Sequence, residues 1–587
     1  MRITDPTRNR NNFSRVTNNP SPHRPGNIGT NTPVARSAEI ATIEAPGEAT
    51  DEAFTERTHA ANPIDREVAE AKRGALPGAS AAGIGAKAGN PLTKKEVKGR
   101  VIVSATQGND DITVTARAKG GVTITSGAHS IDLSSREAKR LEIRALGGDD
   151  RVTIAPDVRY GIFVDGGKGN DEIRGSNGKN RIYGGDGDDK LYGGDAIDFI
   201  EGGKGNDEIH GGAGDDRIGG GAGDDTIYGD ADDDHLFGDA GNDTIEGGDD
   251  YDIIEGGKGN DVIRGGGDVD IIRAGRGDDE IYGGAGNDKL YGQQGDDYIE
   301  GQDGNDTMNG GKGIDVMYGL DGNDSLSGEG GRDYLDGGEG NDGIRGGRGR
   351  DQVLGGKGKD RLRGDQGRDV LAGGSDQDVY SGGKGRDVLY HQSADKDRLN
   401  GTKGDTRVDV DMSTAVGVNV RVAGDAEFTA RVESDLETYR SLPTSRSLLS
   451  DMDATGRITN ITPTTAGNSA RFTGGGLMTV GNTANGPGSD VNVRYNRSKT
   501  RLTGISGSWA KRPPSVGLFH ELVHAKNANE GSIPRGNTDG VPNAERIAVG
   551  GRPIDHDSNA ATPRIDPNSD NENTYRKQLG LPKRPHY

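Results

Sequence analysis

Residues 166–173 read Gly-Gly-Lys-Gly-Asn-Asp-Glu-Ile, and this stretch decides the fold because its pattern returns every nine residues. An aspartate stands at every ninth position from Asp171 to Asp387, and Asn180 is the only exception among these twenty-five positions. One apolar residue follows two positions later, as Ile173 follows Asp171. A fixed period of this kind predicts a repeat architecture in which each unit stacks on the next.

The glycines and aspartates of the repeat suit a calcium-binding turn. Glycine adopts backbone angles that other residues cannot, so successive turns can bring carbonyl oxygens together. The aspartate adds a charged, hard oxygen, which is the ligand that calcium prefers. The short strand that follows directs one apolar side chain inward, and one such residue in nine gives a thin core. We therefore expect calcium to neutralise the aspartate ladders before the coils can close.

The GGxGxDxUx pattern of residues 165–393 resembles the RTX calcium-binding β-roll family. The resemblance implies a parallel β-roll, a β-solenoid with two nonapeptides per coil and structural Ca²⁺ along both edges. Twelve or so coils at roughly 4.8 Å each would give a rod about 60 Å long. The alternative, a glycine-rich acidic linker, does not explain a phase held over the whole array. The expected calcium ligands are Asp171, Asp189, Asp198, Asp207, Asp216, Asp225, Asp243, Asp261, Asp279, Asp288, Asp297, Asp306, Asp315 and Asp324.

Some repeats depart from the pattern, and we expect those turns to bind calcium weakly or not at all. Five turns replace the glycine two positions before the aspartate, and five late repeats place a basic residue directly before it. The first group is Ala196, Asp232, Asp250, Asp268 and Asp376. The second group is Arg332, Arg350, Lys359, Arg368 and Arg386.

Composition limits the partners and the compartment. The 587 residues are 29% hydrophobic and 4% aromatic, with a formal net charge of -22. This charge argues against nucleic acid as a partner and favours divalent cations. The absence of cysteine excludes disulfides and thiolate metal sites. No apolar run approaches the ~18 residues that cross a bilayer, and the N-terminus lacks the apolar core of a general secretory signal peptide, so we expect neither a membrane-spanning segment nor that export route.

Changes in pattern divide the chain into five regions, of which the roll is the third. Residues 1–95 are polar and aperiodic and are predicted to be disordered, either as an unstructured export signal or as a plain flexible tail. Residues 96–164 contain short strand patterns and predict a β-rich N-terminal cap of the solenoid. Residues 394–424 are predicted to be a C-terminal cap or linker. Residues 425–587 have the mixed pattern of an α+β domain, including a helix predicted over 428–442 and a second short helix over 445–452.

The candidate catalytic motif is His520-Glu521-Leu522-Val523-His524. On a helix, the imidazoles of His520 and His524 project from one face at metal-binding separation, and Glu521 can reach a metal-bound water. The apolar neighbours predict a buried helix, in which two histidines and a glutamate would be costly without a metal. The alternative is an incidental motif whose histidines are hydrogen-bonded core residues.

A catalytic zinc site needs a third protein ligand and one open position for water. Glu545 follows His524 after a gap of twenty residues and is the expected third ligand, in a gluzincin-like arrangement. The longer metzincin pattern fails, because Asn527 and Glu530 stand where its glycine and third histidine would be. Glu530 and His556 are weaker candidates, and a solvated helix charge is the alternative interpretation of Glu545.

The stretch from about residue 425 to the end resembles the NleD-type effector metallopeptidase family. The matching segments are FTARVESDLETYRSLPTSRSLL, PPSVGLFHELVHAKN, AERIAVGG and NENTYRKQLGLPKRPHY. The resemblance implies a zincin-like fold, with His520 and His524 as Zn²⁺ ligands and Glu521 as general base. It also implies a bacterial protein that is delivered into host cells. The terminal ENxxR-like segment of the family corresponds to Glu572, Asn573 and Arg576.

The expected function is that of a secreted or injected zinc endopeptidase that carries a calcium-binding roll and cuts a host protein. Zinc would lower the pKa of its water towards about 7, and Glu521 would accept the proton. Tyr575, Arg576 and His556 are alternative groups for stabilising the oxyanion. A calcium-dependent adhesion or surface-scaffold protein with a non-catalytic C-terminal domain is the alternative function. A third possibility is that the roll serves export by folding only outside the cell.

Overall fold

The computed structural model describes residues 92–400, 404–424, 426–454, 459–463, 469–472 and 491–495, together with residues 518, 522, 537, 538, 541 and 542. The region predicted to be disordered therefore lies almost entirely outside the described residues. No helix within the described ranges is long and apolar enough to cross a membrane.

The N-terminal part of the described chain begins two parallel sheets and covers their first edges. β2 pairs in parallel with β6, and β3 pairs in parallel with β7. β1 runs antiparallel to β2, and β4 runs antiparallel to β3 and β5. Covering the end of a solenoid in this way removes an open strand edge. The elements are β1 (Thr93–Val97), β2 (Arg100–Ser104), β3 (Asp111–Ala116), β4 (Val122–Ser126), β5 (His129–Leu133), α1 (Ser135–Ala138), β6 (Leu141–Arg144) and β7 (Arg151–Ile154).

Residues 142–409 form a β-solenoid of about 15 turns, which confirms the β-roll expected from the repeat. Each turn adds one strand to each of two parallel sheets, here called sheet 1 and sheet 2. Ile182 pairs with Ile200 in sheet 1, and Ile173 pairs with Leu191 in sheet 2. Two nonapeptides therefore make one coil. The roll exceeds the expected twelve coils because strands on both sides of the repeats continue the same stacking.

The strands of the roll alternate between the two sheets. Those of sheet 1 are β8 (Phe163–Lys168), β10 (Arg181–Asp186), β12 (Phe199–Lys204), β14 (Arg217–Ala222), β16 (His235–Ala240), β18 (Ile253–Lys258), β20 (Ile271–Arg276), β22 (Lys289–Gln294), β24 (Thr307–Gly313), β26 (Ser325–Gly331), β28 (Gly343–Gly349), β30 (Arg361–Gly367), β32 (Val379–Ser381), β33 (Lys384–Gly385) and β35 (Arg398–Leu399). Those of sheet 2 are β9 (Glu172–Arg174), β11 (Lys190–Gly194), β13 (Glu208–Ala213), β15 (Thr226–Ala231), β17 (Thr244–Gly248), β19 (Val262–Gly266), β21 (Glu280–Ala285), β23 (Tyr298–Asp303), β25 (Val316–Asp321), β27 (Tyr334–Glu339), β29 (Gln352–Lys357), β31 (Val370–Ser375), β34 (Val388–His391) and β36 (Thr406–Asp409).

The core of the roll is a stack of single inward side chains, one from each strand. Ile173, Leu191 and Ile209 of sheet 2 are fully buried, as are Ile182 and Ile200 of sheet 1. Burying one such side chain contributes about 1.5–3 kcal/mol. Ordering a residue costs about 1–2 kcal/mol of backbone entropy, so this core cannot by itself order nine residues per repeat. The turns at the two edges must contribute the rest.

Beyond the roll, the described residues form two helices and two small sheets. α2 (Ala426–Ser441) and α3 (Pro443–Ala454) coincide with the two helices expected from the apolar spacing. The four-stranded sheet has the order β37-β38-β40-β39, and β41 pairs with β42. The zincin-like fold predicted for residues 425–587 falls largely outside the described residues. The strands are β37 (Val420–Val422), β38 (Thr459–Pro463), β39 (Ser469–Phe472), β40 (Val491–Tyr495), β41 (Asn537–Thr538) and β42 (Val541–Pro542).

Candidate functional site: the aspartate ladders and the HExxH segment

The repeated aspartates are buried in the turns and tie each coil to the next. The backbone N–H of Asp171 donates to Oδ1 of Asp189 at 2.7 Å, and the N–H of Asp189 donates to Oδ1 of Asp207 at 2.8 Å. The carbonyl oxygen of Asp171 accepts from the N–H of Lys190 at 2.8 Å. Because partners lie 18 residues apart, successive repeats contribute to alternate ladders. One ladder therefore runs along each edge of the roll.

The second carboxylate oxygen, Oδ2, is buried and has no hydrogen-bond partner at nearly all of these aspartates. A buried acceptor without a partner costs about 1–3 kcal/mol. Repeated over the roll, this cost would exceed the about 5–15 kcal/mol of net stability that is typical of a domain. Among the aspartates expected to bind calcium, those with such an oxygen are Asp171, Asp189, Asp207, Asp216, Asp225, Asp243, Asp261, Asp279, Asp288, Asp297, Asp306, Asp315 and Asp324. A buried Oδ2 without a hydrogen-bond partner is also found at Asp150, Asp234, Asp252, Asp270, Asp333, Asp342, Asp351, Asp360, Asp369, Asp378 and Asp387.

The glycines hold open the space that these oxygens face. A Cβ on Gly166 would lie 2.3 Å from Oδ2 of Asp171 and 2.6 Å from the carbonyl oxygen of Gly184. A Cβ on Gly202 would likewise lie 2.2 Å from Oδ2 of Asp207 and 2.6 Å from the carbonyl oxygen of Gly220. A carboxylate and a carbonyl from the next coil thus converge where a side chain is missing. These donors fit a hard divalent cation such as calcium.

Burial raises the pKa of the ladder carboxyls well above the ordinary value. Desolvation is the largest cause and raises the pKa of Asp189 to about 6, of Asp207 to about 8 and of Asp234 to about 9. The backbone hydrogen bond that each carboxyl accepts lowers the pKa, but by less than desolvation raises it. In the absence of a cation, the carboxyls with the highest pKa values, such as Asp207 and Asp234, are therefore protonated near neutral pH. A bound divalent cation would take the place of those protons.

Asn180 is the exception to the aspartate rule, and its amide occupies one of these spaces. Its Nδ2 donates to the carbonyl oxygens of Ser176 at 2.8 Å and Gly193 at 3.3 Å. It also lies 3.3 Å from both carboxylate oxygens of Asp198. An –NH₂ group is here surrounded by four oxygens, which satisfies Asp198 without a metal. Asp198 thus differs from the other aspartates that the repeat pattern predicts as calcium ligands.

Aspartates that replace turn glycines preserve the turn geometry. Asp232 and Asp250 take the left-handed conformation, with φ of 74° and 71°. Asp and Asn tolerate this region better than other residues with a side chain. The following ladder aspartates, Asp234 and Asp252, keep their hydrogen bond at 2.8 Å. The weaker calcium binding expected of these turns stays a prediction.

Where an Asn or Asp stands directly before the ladder aspartate, its side chain joins a second, outer ladder that sequence reasoning missed. The N–H of Asp188 donates to Oδ1 of Asn170 at 3.1 Å, and on the same edge the N–H of Ile314 donates to Oδ1 of Asp296 at 2.7 Å. Arg332 follows Ile314 on this edge, and neither side chain has an oxygen that could accept the next bond. The signal was available in the sequence as a preference for Asn or Asp at this position in the earlier repeats.

His520, Glu521, Val523 and His524 of the HExxH motif and Glu545 lie outside the described residues, as do Glu530, His556, Glu572, Asn573, Tyr575 and Arg576. Two positions beside the proposed zinc ligands are described: Leu518 before the motif and Leu522 within it are both helical, and both are 0% exposed. They belong to one apolar cluster with Leu436 and Tyr439 of α2. Within the described ranges, no three His, Asp or Glu side chains gather in a way that could hold a metal ion. Calcium in the roll would therefore depend on backbone carbonyls as well as carboxylates.

Comparison with protein families confirms both resemblances. A family model described as the RTX calcium-binding nonapeptide repeat (4 copies) matches residues 165–200, 192–227, 219–254, 246–281, 282–317, 318–353 and 354–389. The model of the Peptidase_M91 family, described as an effector protein, matches residues 417–587. A search of curated proteins found no match. The two family matches, together with the buried aspartate Oδ2 atoms that have no hydrogen-bond partner, support an effector peptidase with calcium-binding repeats.

Proposed function

We propose that the chain is a secreted zinc endopeptidase that is delivered into host cells and cuts a host protein. The observation that carries this proposal is the match of residues 417–587 to a family of effector peptidases, with an HExxH motif inside the matched segment. An HExxH motif alone recurs by accident, so the proposal is supported by the match of the same segment to a peptidase family. The array of calcium-binding repeats in front is consistent with a protein that works outside the cell that makes it.

The proposed zinc ligands are His520, His524 and Glu545. The buried helical positions Leu518 and Leu522 support a helix through the motif, because they are one helical turn apart and both face an apolar core. On an ideal helix, position 520 lies about 200° around the axis from position 518. The imidazoles would then face away from the core that the leucines contact, where a substrate can approach.

Glu521 is the proposed general base. Zinc, when bound in such a site, lowers the pKa of a water to about 7 and polarises the scissile carbonyl. The Glu521 carboxylate would accept the proton of the attacking water and pass it to the leaving amine. Tyr575, Arg576 and His556 are the candidates for stabilising the oxyanion.

The test is Glu521→Gln in the full chain, with Asp451→Asn on α3 as the matched control outside the motif. We expect the Glu521 variant to retain zinc and to lose cleavage by a factor on the order of 100 or more, the usual contribution of a general base. The control should cut at the native rate. Zinc is measured by elemental analysis and cleavage by mass spectrometry of a peptide library and host-cell proteins.

Native turnover by the Glu521→Gln variant would refute the assignment of the base. A wild-type chain that neither binds zinc nor cuts any peptide would instead favour the adhesion or scaffold function.

A further inference from the structure

One stretch of sheet 2 has an apolar outer face, which we call the docking face. Its residues lie on β21 to β31, and most of them are fully buried although they point away from the roll core. The docking face consists of Tyr282, Tyr298, Val316, Tyr318, Leu320, Tyr334, Leu354 and Ala372. A row of aromatic side chains runs along it, with neighbouring ring centroids of Tyr298, Tyr318 and Tyr334 5.4–6.0 Å apart.

Helix α2 covers the docking face. It contacts β25, β27, β29 and β31. Its residues Phe428, Val432, Leu436 and Tyr439 are buried in the same apolar cluster as the tyrosines of the roll. This helix belongs to the segment that matches the peptidase family, so the described structure joins the repeat array to the peptidase segment through one apolar core.

A buried charge fixes the position of α2 on this face. Arg431 is 0% exposed, and its guanidinium carbon lies 3.2 Å from the centre of the Tyr318 ring. Its Nε is 3.5 Å from a carboxylate oxygen of Glu300 on β23, and its Nη1 is 2.8 Å from Asp435 one turn along the helix. Asp435 lies on α2 itself, whereas Glu300 and the Tyr318 ring belong to the roll, so the buried guanidinium has its full set of partners only when α2 is docked.

A second polar contact between α2 and the roll lies on β27, one coil beyond the strand that carries Tyr318. Asp336 on β27 is buried and accepts a hydrogen bond from Thr438 of α2 at 3.0 Å and one from Tyr334 at 3.2 Å. Glu300, Tyr318 and Asp336 therefore meet α2 from three successive coils. Their spacing depends on the strand separation of a closed coil, about 4.8 Å.

Each of these three residues follows a ladder aspartate by three positions: Asp297, Asp315 and Asp333. The Oδ2 atoms of all three aspartates are buried without a hydrogen-bond partner. Asp297 and Asp315 stand in turns expected to bind calcium, whereas Arg332 precedes Asp333 in a turn expected to bind it weakly, so the calcium that positions the docking face is expected mainly at the first two turns. The same apolar cluster continues from α2 to Leu518 and Leu522 beside the HExxH motif.

We propose that calcium binding by the coils from β21 to β31 assembles the docking face, and that α2 seated on this face holds the peptidase segment in its active arrangement. The inference rests on the proposed function, since it makes the roll the calcium-dependent support of that same active site. Arg431 is the positioning residue, because its guanidinium reaches the Glu300 carboxylate and the Tyr318 ring only when the coils are closed.

The experiment measures hydrogen–deuterium exchange of residues 426–441 and of the roll strands in the full chain, over a calcium titration. We expect the helix to gain protection at the same calcium concentration as β23 to β31. Two labels give a direct reading of docking, because the chain has no cysteine and introduced cysteines are the only reactive thiols. Labels at Ser325→Cys on sheet 1 and Glu433→Cys on α2 should give one narrow distance with calcium and a broad distribution in chelator.

Two variants and a control separate docking from folding. With calcium saturating, Arg431→Ala should lower protection of α2 on the order of 100-fold while the roll strands stay protected, since buried carboxylates lose their counter-charge. Thr438→Ala is the milder variant and should lower the protection of α2 about tenfold or less. Glu433→Gln is the matched control on the same helix, where Glu433 is exposed and pairs with Arg440 at 3.8 Å, and it should leave α2 within about threefold of wild type. Peptide cleavage should fall with α2 protection across this series.

The outcomes distinguish the inference from the proposed function. A roll that folds with calcium while α2 stays equally protected in chelator overturns the inference alone, as does native protection of α2 in both variants at the docking face. Cleavage that is unchanged while α2 is released overturns the link to activity. A roll that does not respond to calcium at all also overturns the inference, whereas the proposed zinc peptidase is overturned only by its own test, native turnover in Glu521→Gln.

Discussion

The two sheets of the roll are built from the same nonapeptide, yet among the described residues only sheet 2 is covered by a helix. Sheet 1 exposes Gly343, Arg345, Arg361 and Arg363 on β28 and β30. The equivalent positions of β27 and β29 in sheet 2 are Tyr334, Asp336, Gln352 and Leu354, and all are buried. The inward residues of both sheets are equally apolar and equally buried. The repeat therefore specifies the coil, while the positions that it leaves variable specify which side binds another part of the chain.

The difference between the sheets is visible only at a period of 18 residues. When the chain is read at a period of nine, the residues that follow the inward side chains come alternately from sheet 1 and sheet 2. The combined set therefore shows a mixed, polar pattern. At every second repeat it reads Tyr282, Glu300, Tyr318, Asp336 and Leu354. A binding face on a two-sided solenoid is thus encoded at the period of the whole coil.

The largest effect should come from removing calcium, which tests what the two sheets share. Both sheets depend on the same edge turns, so we expect chelator at pH 8 to remove the hydrogen-exchange protection of both together. The buried Oδ2 atoms, each costing about 1–3 kcal/mol without a partner, make this loss larger than that from any single substitution. Protection that survives in one sheet alone would contradict a roll closed by its edges.

The same turns predict a pH dependence with a definite sign. Burial raises the pKa of the ladder carboxyls from an ordinary value of about 3.9 to between about 6, as at Asp189, and about 9, as at Asp234. The folded, calcium-free roll therefore binds more protons than the unfolded chain, and its stability falls as pH rises through this window. Calcium must displace those protons, so the calcium concentration at which half of the roll is folded should decrease as the pH is raised from 6 to 9. A midpoint that does not change with pH would contradict the raised pKa values.

A pair of substitutions at equivalent repeat positions tests the difference between the sheets. Leu354→Ala on sheet 2 removes a buried side chain beneath α2 and should lower the free energy of unfolding by about 2–5 kcal/mol. Arg363→Ala on sheet 1 removes an exposed ion pair with Asp365 and should lower it by about 1 kcal/mol or less. Urea unfolding in saturating calcium measures both. Equal losses would mean that α2 adds nothing to the stability of sheet 2.

The smallest effect concerns the turn of Asn180. It distinguishes two ways of satisfying a buried aspartate, by a side-chain amide or by calcium. Asn180→Asp should add one bound calcium ion per chain, because the amide that now satisfies Asp198 would be replaced by a carboxylate. In chelator the same variant should be less stable by about 1–3 kcal/mol, the cost of a buried group without a partner. Asn177→Asp, an exposed amide in the same turn, is the control and should leave the stoichiometry unchanged. Equilibrium dialysis counts the ions, and an unchanged count in the Asn180 variant would show that this turn does not bind calcium.

Much of the roll could be predicted because its contacts are local and periodic. The inward residue and the buried aspartate recur in every repeat, so their roles follow from the spacing alone. The amide of Asn180 could not be assigned, because an asparagine at an aspartate position reads as a defect until its neighbours are known. The exposed ladder was missed because each of its bonds joins residues 18 apart, as Asn170 joins Asp188. For the peptidase segment, the sequence supplied the HExxH pattern and the two helices, whereas the zinc ligands stay a prediction.

By itself, the sequence determined the coil, the side chain that points into it, and the edges at which carboxylates collect, because a nine-residue period repeats the same local geometry. Tertiary structure decided that α2 lies on sheet 2 and that Arg431 is buried there between Glu300 and Asp435. The spacing of residues along a helix does not reveal which distant surface will bury its apolar and charged side chains. That choice depends on apolar area and counter-charge brought together from residues more than a hundred positions apart, and only the folded chain contains both.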